Sequence, residues 1–517
     1  MPRPRAGSAI AAPVHESCCT APSHLRNATA TAPAYDTDMT SLSPVDQAFF
    51  LLETADRPMS VGVLFVLPST GRSPIRFADG LVARMLECPV GPPFNHRLKP
   101  GPFKPLLALE EDERMDAARQ VHRHRLRPGS ELPELFRKVC AIHVQLLPRD
   151  EPLWQLHVFT GLPGGRVALY FKTHHGLIDG IGFIRVVTGA ISTSKAAGKP
   201  RAIWEGLRAL PPTRPAQARG TGDAISMAGL LDLLGTAGRA AGDLGRLYWR
   251  QAQRGAGIGT GLAVPFLSTP DVLRTAPSPN RVMAHRKIPL RTARAIARSG
   301  KGKINDVMLA AVDVAMNRYL EERGSPPEGP LVADVPVALV DHGGAGNRIT
   351  ILQVPMGRPG STPVQRLAEI VGETQAMKRE VRTASAGSLT LHSILGHTAA
   401  STFEALGLGE APLLANVVIS NPAGLERRVY FNGAPVELAL PISVIAHQQV
   451  LNVTITTYVD ELHVTLMSQR EAIPDVDRLA GYVAEAVDQI EAELAIAARP
   501  RGARGKPRPK AARTMTS

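Results

Sequence analysis

The chain has 517 residues, 44% of them apolar, with a formal charge of +13 and a mean hydropathy of −0.03. That length allows two domains, each with its own core, and the composition is that of a globular chain, neither disordered nor membrane-embedded. No apolar run reaches the roughly 18 residues of a spanning helix. The four cysteines have no metal spacing and make no disulfide framework, which fits a reducing cytoplasm.

The charge is unevenly placed. Arg499 to Arg513 holds seven basic residues and no acidic ones; Lys195 to Asp223 holds six basic and two acidic, leaving about +2 for everything else. Basicity confined to a tail and a linker argues against a nucleic-acid partner. Two readings of the tail stay open: a solvated end, or contact with an anionic membrane or lipid-droplet surface, worth about 1 kcal/mol per basic residue.

Residues 1–38 are rich in Ala, Pro, Ser and Thr, without periodicity or a sustained apolar region, and are expected to be a disordered extension rather than a secretory signal. In Leu42-Ser43-Pro44-Val45-Asp46, Ser43 can cap a short helix whose first residue is Pro44. Pro58-Met59-Ser60-Val61-Gly62 then opens a strand in which Val61, Val63, Phe65 and Leu67 alternate. Residues 132–147 form an amphipathic helix with Leu135, Phe136, Val139, Cys140, His143 and Leu147 along one side, a spacing that reads as core packing rather than a Cys–His pair. Trp154 opens the next strand, and Pro163-Gly164-Gly165 turns the chain into another.

That strand ends in chemistry. Arg166–Thr173 is rich in Val, Leu, Tyr and Phe, and from Ile181 the apolar residues Ile181, Ile184 and Val187 take helical spacing. Between them lies His174-His175-Gly176-Leu177-Ile178-Asp179-Gly180. Adjacent histidines leave a strand on opposite faces, so only one can easily enter a shared cavity. Gly176 and Gly180 are expected to let the backbone bend, and Asp179 can cap the helix that starts at Gly180.

Residues 194–222 have the Pro, Arg, Ala and Gly of a linker, and 225–253 look helical. A strand from Arg281 to Leu290, a short helix from Arg291 to Ser299, and a longer helix with Asn305 as N-cap and Asp306 in its first turn follow. Val335-Pro336-Val337, Gly346-Asn347-Arg348, a strand and loop from Asn416 to Gly424, and two strands within Pro441 to Tyr458, with His447 between them, complete the folded sequence.

The HHxxxDG pattern at a strand-to-helix junction resembles the signature of the CoA-dependent acyltransferase superfamily. The flanks resemble its bacterial wax ester synthase/diacylglycerol acyltransferase branch: the LSPxD and PMxVG segments, Pro152-Leu153-Trp154, Asn305-Asp306, the PVS-like and GNxxS-like segments, and Asn416–Gly424, which lacks one Val of the family's SNVPGP. The patches run from about residue 41 to 490.

The resemblance implies an α/β fold of two chloramphenicol-acetyltransferase-like lobes, mixed sheets flanked by helices, with a tunnel between them. The expected divisions are 1–38, a first lobe at 39–190 with HHxxxDG, a basic linker and helix at 191–259, a second lobe at 260–497, and a tail at 498–517. It implies O-acyl transfer from acyl-CoA to diacylglycerol or a long-chain alcohol, with His175 as general base, His174 mainly structural, and Asp179 holding the loop without touching substrate. Trp154 is expected to be structural, and Asn305-Asp306 either cap a helix, face the tunnel, or both. No bound cofactor or metal and no acyl-enzyme is implied; GxSxG and P-loop patterns are absent. Location in the cytoplasm, peripheral to the inner membrane or lipid inclusions, is expected. A condensation enzyme of peptide-synthetase type, or a non-catalytic lipid-surface protein, is the alternative.

Overall fold

Two runs of elements build two mixed sheets. The computed structural model of the chain describes Leu42, residues 44–100, 107–209 except 197, scattered positions between 242 and 253, 270–338, 349–384, short stretches between 388 and 404, and 415–497 except 423. The expected extension 1–38 and tail 498–517, the capping Ser43, residues 346–348 and most of 225–253 lie outside those residues.

The first run is α1 (Pro44–Leu52), β1 (Ser60–Pro68), α2 (Pro74–Leu86), β2 (His96–Pro100), β3 (Leu107–Glu111), β4 (Val121–Arg125), α3 (Leu132–His143), β5 (Trp154–Thr160), β6 (Arg166–His174) and α4 (Gly180–Ala190). The second is β7 (Arg281–Pro289), α5 (Leu290–Ser299), α6 (Ile304–Glu322), β8 (Val332–Ala338), β9 (Ile349–Pro355), α7 (Pro363–Thr383), β10 (Val417–Ser420), β11 (Tyr430–Phe431), β12 (Ala434–Pro435), β13 (Leu438–Ile442), β14 (Leu451–Tyr458), β15 (Glu461–Gln469) and α8 (Val476–Ala497).

One sheet has the order β13-β1-β6-β5-β4 and the other β7-β15-β14-β10-β8-β9; each combines parallel and antiparallel pairs. The mixed sheets with flanking helices agree with the expected class. Strand β13, though it comes from the second half of the chain, pairs with β1 in the first sheet. The two strands read together from Pro441 to Tyr458 therefore belong to different sheets.

Strand β1 shows why it is central. Val61, Val63, Phe65 and Leu67 are buried as their alternation suggests, but so are Leu64 and Val66 on the opposite face. Leu64 and Val66 pack with α3 residues and with Met283 and Met467 of the second sheet, so this cluster glues the two sheets together. Gly62 is required by close approach: a Cβ there would stand 2.5 Å from Tyr170 Cε2 and 2.6 Å from the Phe171 carbonyl on β6.

The expected linker begins with packed structure. Residues Ile203–Ala209 form 3-10 turns, and Trp204 is fully buried, stacked on Trp154 at 5.2 Å. Trp154 itself is fully buried and donates its indole N–H to the Phe94 carbonyl at 2.8 Å. Its place is in the core. His143 bonds to the Tyr170 hydroxyl at 2.6 Å rather than to Cys140.

The longer helix starts earlier than its cap residue suggested. Asn305 is not the N-cap: α6 begins at Ile304, Lys303 is the cap, and the Asp306 carboxylate accepts the Lys303 N–H at 2.8 Å. The reason is that the acidic residue sits three positions inside, where its side chain reaches back to the first orphan N–H.

Candidate active site

The motif turn is held between β1 and α1. Register pairs His174 with Ser60 across the sheet, and just past the strand end the His175 N–H reaches the Met59 carbonyl at 2.7 Å. Asp179 caps α4, its carboxylate accepting the Gly182 N–H and its carbonyl the Phe183 N–H at 2.8 Å. No arginine pairs with it among the described residues, so the cap is what it supplies. Gly176 and Gly180 are not in the left-handed region. The Gly176 requirement is space: a Cβ would lie 2.6 Å from Phe50 Cε2 and 2.8 Å from the Asp46 carbonyl. Gly180 is simply the first residue of α4.

The two histidines have different fates. His174 is fully buried, its ring stacked on Phe50 at 4.0 Å with the planes 4° apart. Its Nδ1 accepts the Gly176 N–H at 3.0 Å, so its proton belongs on Nε2, which lies 3.3 Å from Glu53 Oε1. The separation is that of an ion pair, and its alignment falls short of a good hydrogen bond. Both ring nitrogens are thus enclosed, Nδ1 by the turn and Nε2 by the Glu53 carboxylate.

His175 is half-buried and stacks on Phe49 at 4.1 Å. Its Nδ1 is enclosed without a well-aligned partner, which leaves Nε2 as the nitrogen available to a substrate. Burial pushes its pKa down to about 4, and the neighbouring His174 adds to the fall, while the residue's own backbone carbonyl opposes it. At neutral pH the ring is therefore an uncharged base.

Glu53 was not evident from sequence as a site residue. It follows α1, its side chain is 1% exposed, and its Oε1 also accepts the Met59 N–H at 3.0 Å, with Arg149 Nη2 3.6 Å from Oε2. Burial alone would raise the carboxyl pKa, but His174, the Met59 N–H and Arg149 outweigh it and hold the group below its usual value. The only sequence signal was an acid at the end of an apolar helix.

A second buried ion pair ties the same segment to the second half of the chain. Arg57, 1% exposed, meets Glu404 through two 2.9 Å bonds and donates to the Gln449 carbonyl at 3.0 Å. Glu404 also accepts from His447 at 2.9 Å and from the Gln448 N–H at 2.6 Å. These donors overcome the burial that would raise its pKa and hold Glu404 at about 2.

Asn305 and Asp306 stand apart from this turn. Asn305 Oδ1 lies 3.5 Å from Asn421 Nδ2, joining the start of α6 to the loop after β10, while Asp306 also accepts from the Thr374 hydroxyl at 2.9 Å. Among the described residues, no group of three or more His, Cys, Asp or Glu side chains is arranged to hold a metal, and no helix is long and apolar enough to cross a membrane. A cavity of about 410 Å³ lies between the sheets, lined by Val66, Arg166, His285 and Glu437 among others. Arg166 begins the strand that His174 ends, about 26 Å away at ~3.3 Å per residue, so this cavity does not serve the histidine turn.

Residues 42–308 match the wax ester synthase/diacylglycerol acyltransferase catalytic domain, and residues 345–491 match the family's C-terminal domain. The chain belongs to this family. It is an acyltransferase, and it aligns nearly end to end with other wax ester synthase/diacylglycerol acyltransferase proteins. The O-acyltransferase WSD of Acinetobacter baylyi is 29% identical over 88% of this chain and 98% of its own length. Tgs4 of Mycobacterium tuberculosis, named as a probable diacylglycerol O-acyltransferase, is 29% identical over 88% of this chain and 97% of its own. The solved wax ester synthase/diacylglycerol acyltransferase from Marinobacter aquaeolei VT8 superposes with a TM-score of 0.65 at 24% identity, over 88% of this chain and all of that one. The first condensation domain of the calcium-dependent antibiotic synthetase shares the fold at a TM-score of 0.51 and 16% identity, over 87% and 96%.

Proposed function

We propose that this acyltransferase moves a long-chain acyl group from acyl-CoA to diacylglycerol or a long-chain alcohol, with His175 as general base and no acyl-enzyme intermediate. The observation that carries the reading is the contrast between the histidines: His174 is fully buried, with Nδ1 bonded to the Gly176 N–H and Nε2 enclosed 3.3 Å from Glu53, whereas His175 is neutral, clamped by its backbone, and keeps Nε2 available.

An alcohol, with a pKa near 16, cannot ionise ahead of attack, so its proton passes to His175 Nε2 as its oxygen bonds to the thioester carbonyl carbon. The carbonyl π electrons move onto oxygen and return as the C–S bond breaks; the departing thiolate takes the proton from Nε2. Ester and free CoA result, and the base is restored. Holding both substrates against one histidine removes the cost of a three-body encounter. Cys88 and Cys140 are poor candidates for a covalent route, since burial pushes both thiols up to about 12.

The lobe division at 39–190 and 260–497, a tunnel meeting at His175, and peripheral contact of the basic tail with anionic lipid belong to the same reading. The test pairs palmitoyl-CoA with hexadecanol or dioleoylglycerol. Ester and CoA thiol should appear one for one, with no stoichiometric burst of CoA when the alcohol is omitted; a burst would mean an acyl-enzyme, and no ester from either acceptor would remove the substrate assignment.

A further inference from the structure

One carboxylate, 121 positions upstream of His174, lies against the histidine turn, and the contacts around it form a closed circuit. Glu53 Oε1 accepts the Met59 N–H at 3.0 Å, and the carbonyl of that same Met59 accepts the His175 N–H at 2.7 Å. The same oxygen faces His174 Nε2 at 3.3 Å, while His174 Nδ1 accepts the Gly176 N–H at 3.0 Å. The residues on both sides of His175 are thus referred back to one atom. Stacking of Phe50 on His174 and Phe49 on His175 places the end of α1 directly beneath the turn.

We propose that Glu53 is a positioning residue for the base: its Oε1 holds the Met59 N–H and backs the His174 ring, and through them fixes the direction of the His175 ring. The proposal rests on His175 being the base. The groups facing Glu53 are His174 and Lys172 from β6, Arg149 from the loop before β5, and the Met59 peptide. A side chain held at 1% exposure, with one oxygen bonded to the Met59 N–H and facing His174 Nε2 at 3.3 Å, is fixed in geometry by its surroundings.

The geometry separates two substitutions. Glu53→Gln keeps a carbonyl oxygen where Oε1 stands, able to accept from Met59 and to face His174; what it loses is the charge that faces Arg149 at 3.6 Å and Lys172. Glu53→Ala removes the acceptor altogether. Misplacing a reacting group by about 1 Å costs on the order of 10²-fold, and a loss of orientation falls on kcat rather than on ground-state binding.

The experiment measures kcat and KM for palmitoyl-CoA with hexadecanol on the full chain, for wild type, E53A, E53Q, E53D and H175A, with Tm for each. The expected result is a kcat loss of about 10²-fold for E53A, a KM within about threefold, and kcat for E53Q within about threefold of wild type. E53A at wild-type kcat, or E53Q as impaired as E53A, overturns the proposal. Should E53A fail to fold, E53D decides: it keeps the charge but withdraws the oxygen, so positioning requires E53Q to outperform E53D, and the reverse order overturns it. H175A separates the two claims. Inactive H175A beside fully active E53A refutes only the role of Glu53, whereas fully active H175A refutes the base itself.

Discussion

Replacing Arg57 by alanine tests how the segment beneath the histidine turn is tied to the second half of the chain. The guanidinium makes two 2.9 Å bonds to Glu404 and one of 3.0 Å to the Gln449 carbonyl, with 2% of the side chain exposed. Removing one partner of a buried pair costs about 3–5 kcal/mol, because the other charge stays buried. Glu404 keeps His447 at 2.9 Å and the Gln448 N–H at 2.6 Å, which places the expected loss near the lower figure, about 3 kcal/mol. With an unfolding entropy of about 2.1 cal/mol/K per residue over the roughly 360 described residues, that is a Tm fall of about 4 °C at pH 7. The pH dependence carries a sign. Glu404 has a depressed pKa, so its contribution is fully present above the unfolded value near 4.5 and is lost as pH falls toward about 2. The gap between R57A and wild type, followed by differential scanning fluorimetry, should therefore narrow from pH 5 to pH 3. A Tm within 1 °C of wild type at pH 7, or a gap that widens on acidification, would refute the reasoning.

Two further outcomes are expected. Gly176→Ala forces a Cβ to within 2.6 Å of Phe50 Cε2, so it should lower stability by about 1–3 kcal/mol and reduce turnover together, read by urea unfolding and by ester formation; an unchanged midpoint would show that α1 yields freely. Deleting 498–517 removes the seven basic residues between Arg499 and Arg513 and should weaken sedimentation with anionic vesicles while leaving activity on detergent-dispersed substrate intact, and the difference should shrink as salt rises. Equal vesicle binding across a salt series would make the tail a solvated end.

What the sequence made legible was local. The switch from strand to helical spacing around residues 174–180 located the turn, and Asp179 had the type and place of a cap, which is what it is. Strands and helices with a single buried stripe, such as α3 with Leu135, Phe136, Val139 and Cys140, were equally readable. The rest depends on partners far away in the chain. Nothing in Leu438–Ile442 says that it pairs with β1 rather than with its neighbour β14, because register is set by which apolar faces meet. Trp204 sits in a stretch whose composition is that of a linker, and its burial comes from distant partners, the stacked Trp154 and the Cys88 and Gly91 backbone. Glu53 and Glu404 look like ordinary acids until their partners, Met59, His174, Arg57 and His447, converge on them. Asn305 has the residue type of an N-cap, yet Asp306 reaches back to Lys303 and moves the helix start.

The most direct test of the central claim is the pH profile of kcat/KM for palmitoyl-CoA and hexadecanol with wild type, H174A and H175A. With the base pKa lowered to about 4, wild-type activity should be level from pH 6 to 8 and fall below about pH 5 as His175 takes up a proton. H175A should lose about 10²–10⁴-fold at every pH, and H174A less, in step with its lower Tm. H175A turning over like wild type while H174A is inactive would contradict the account.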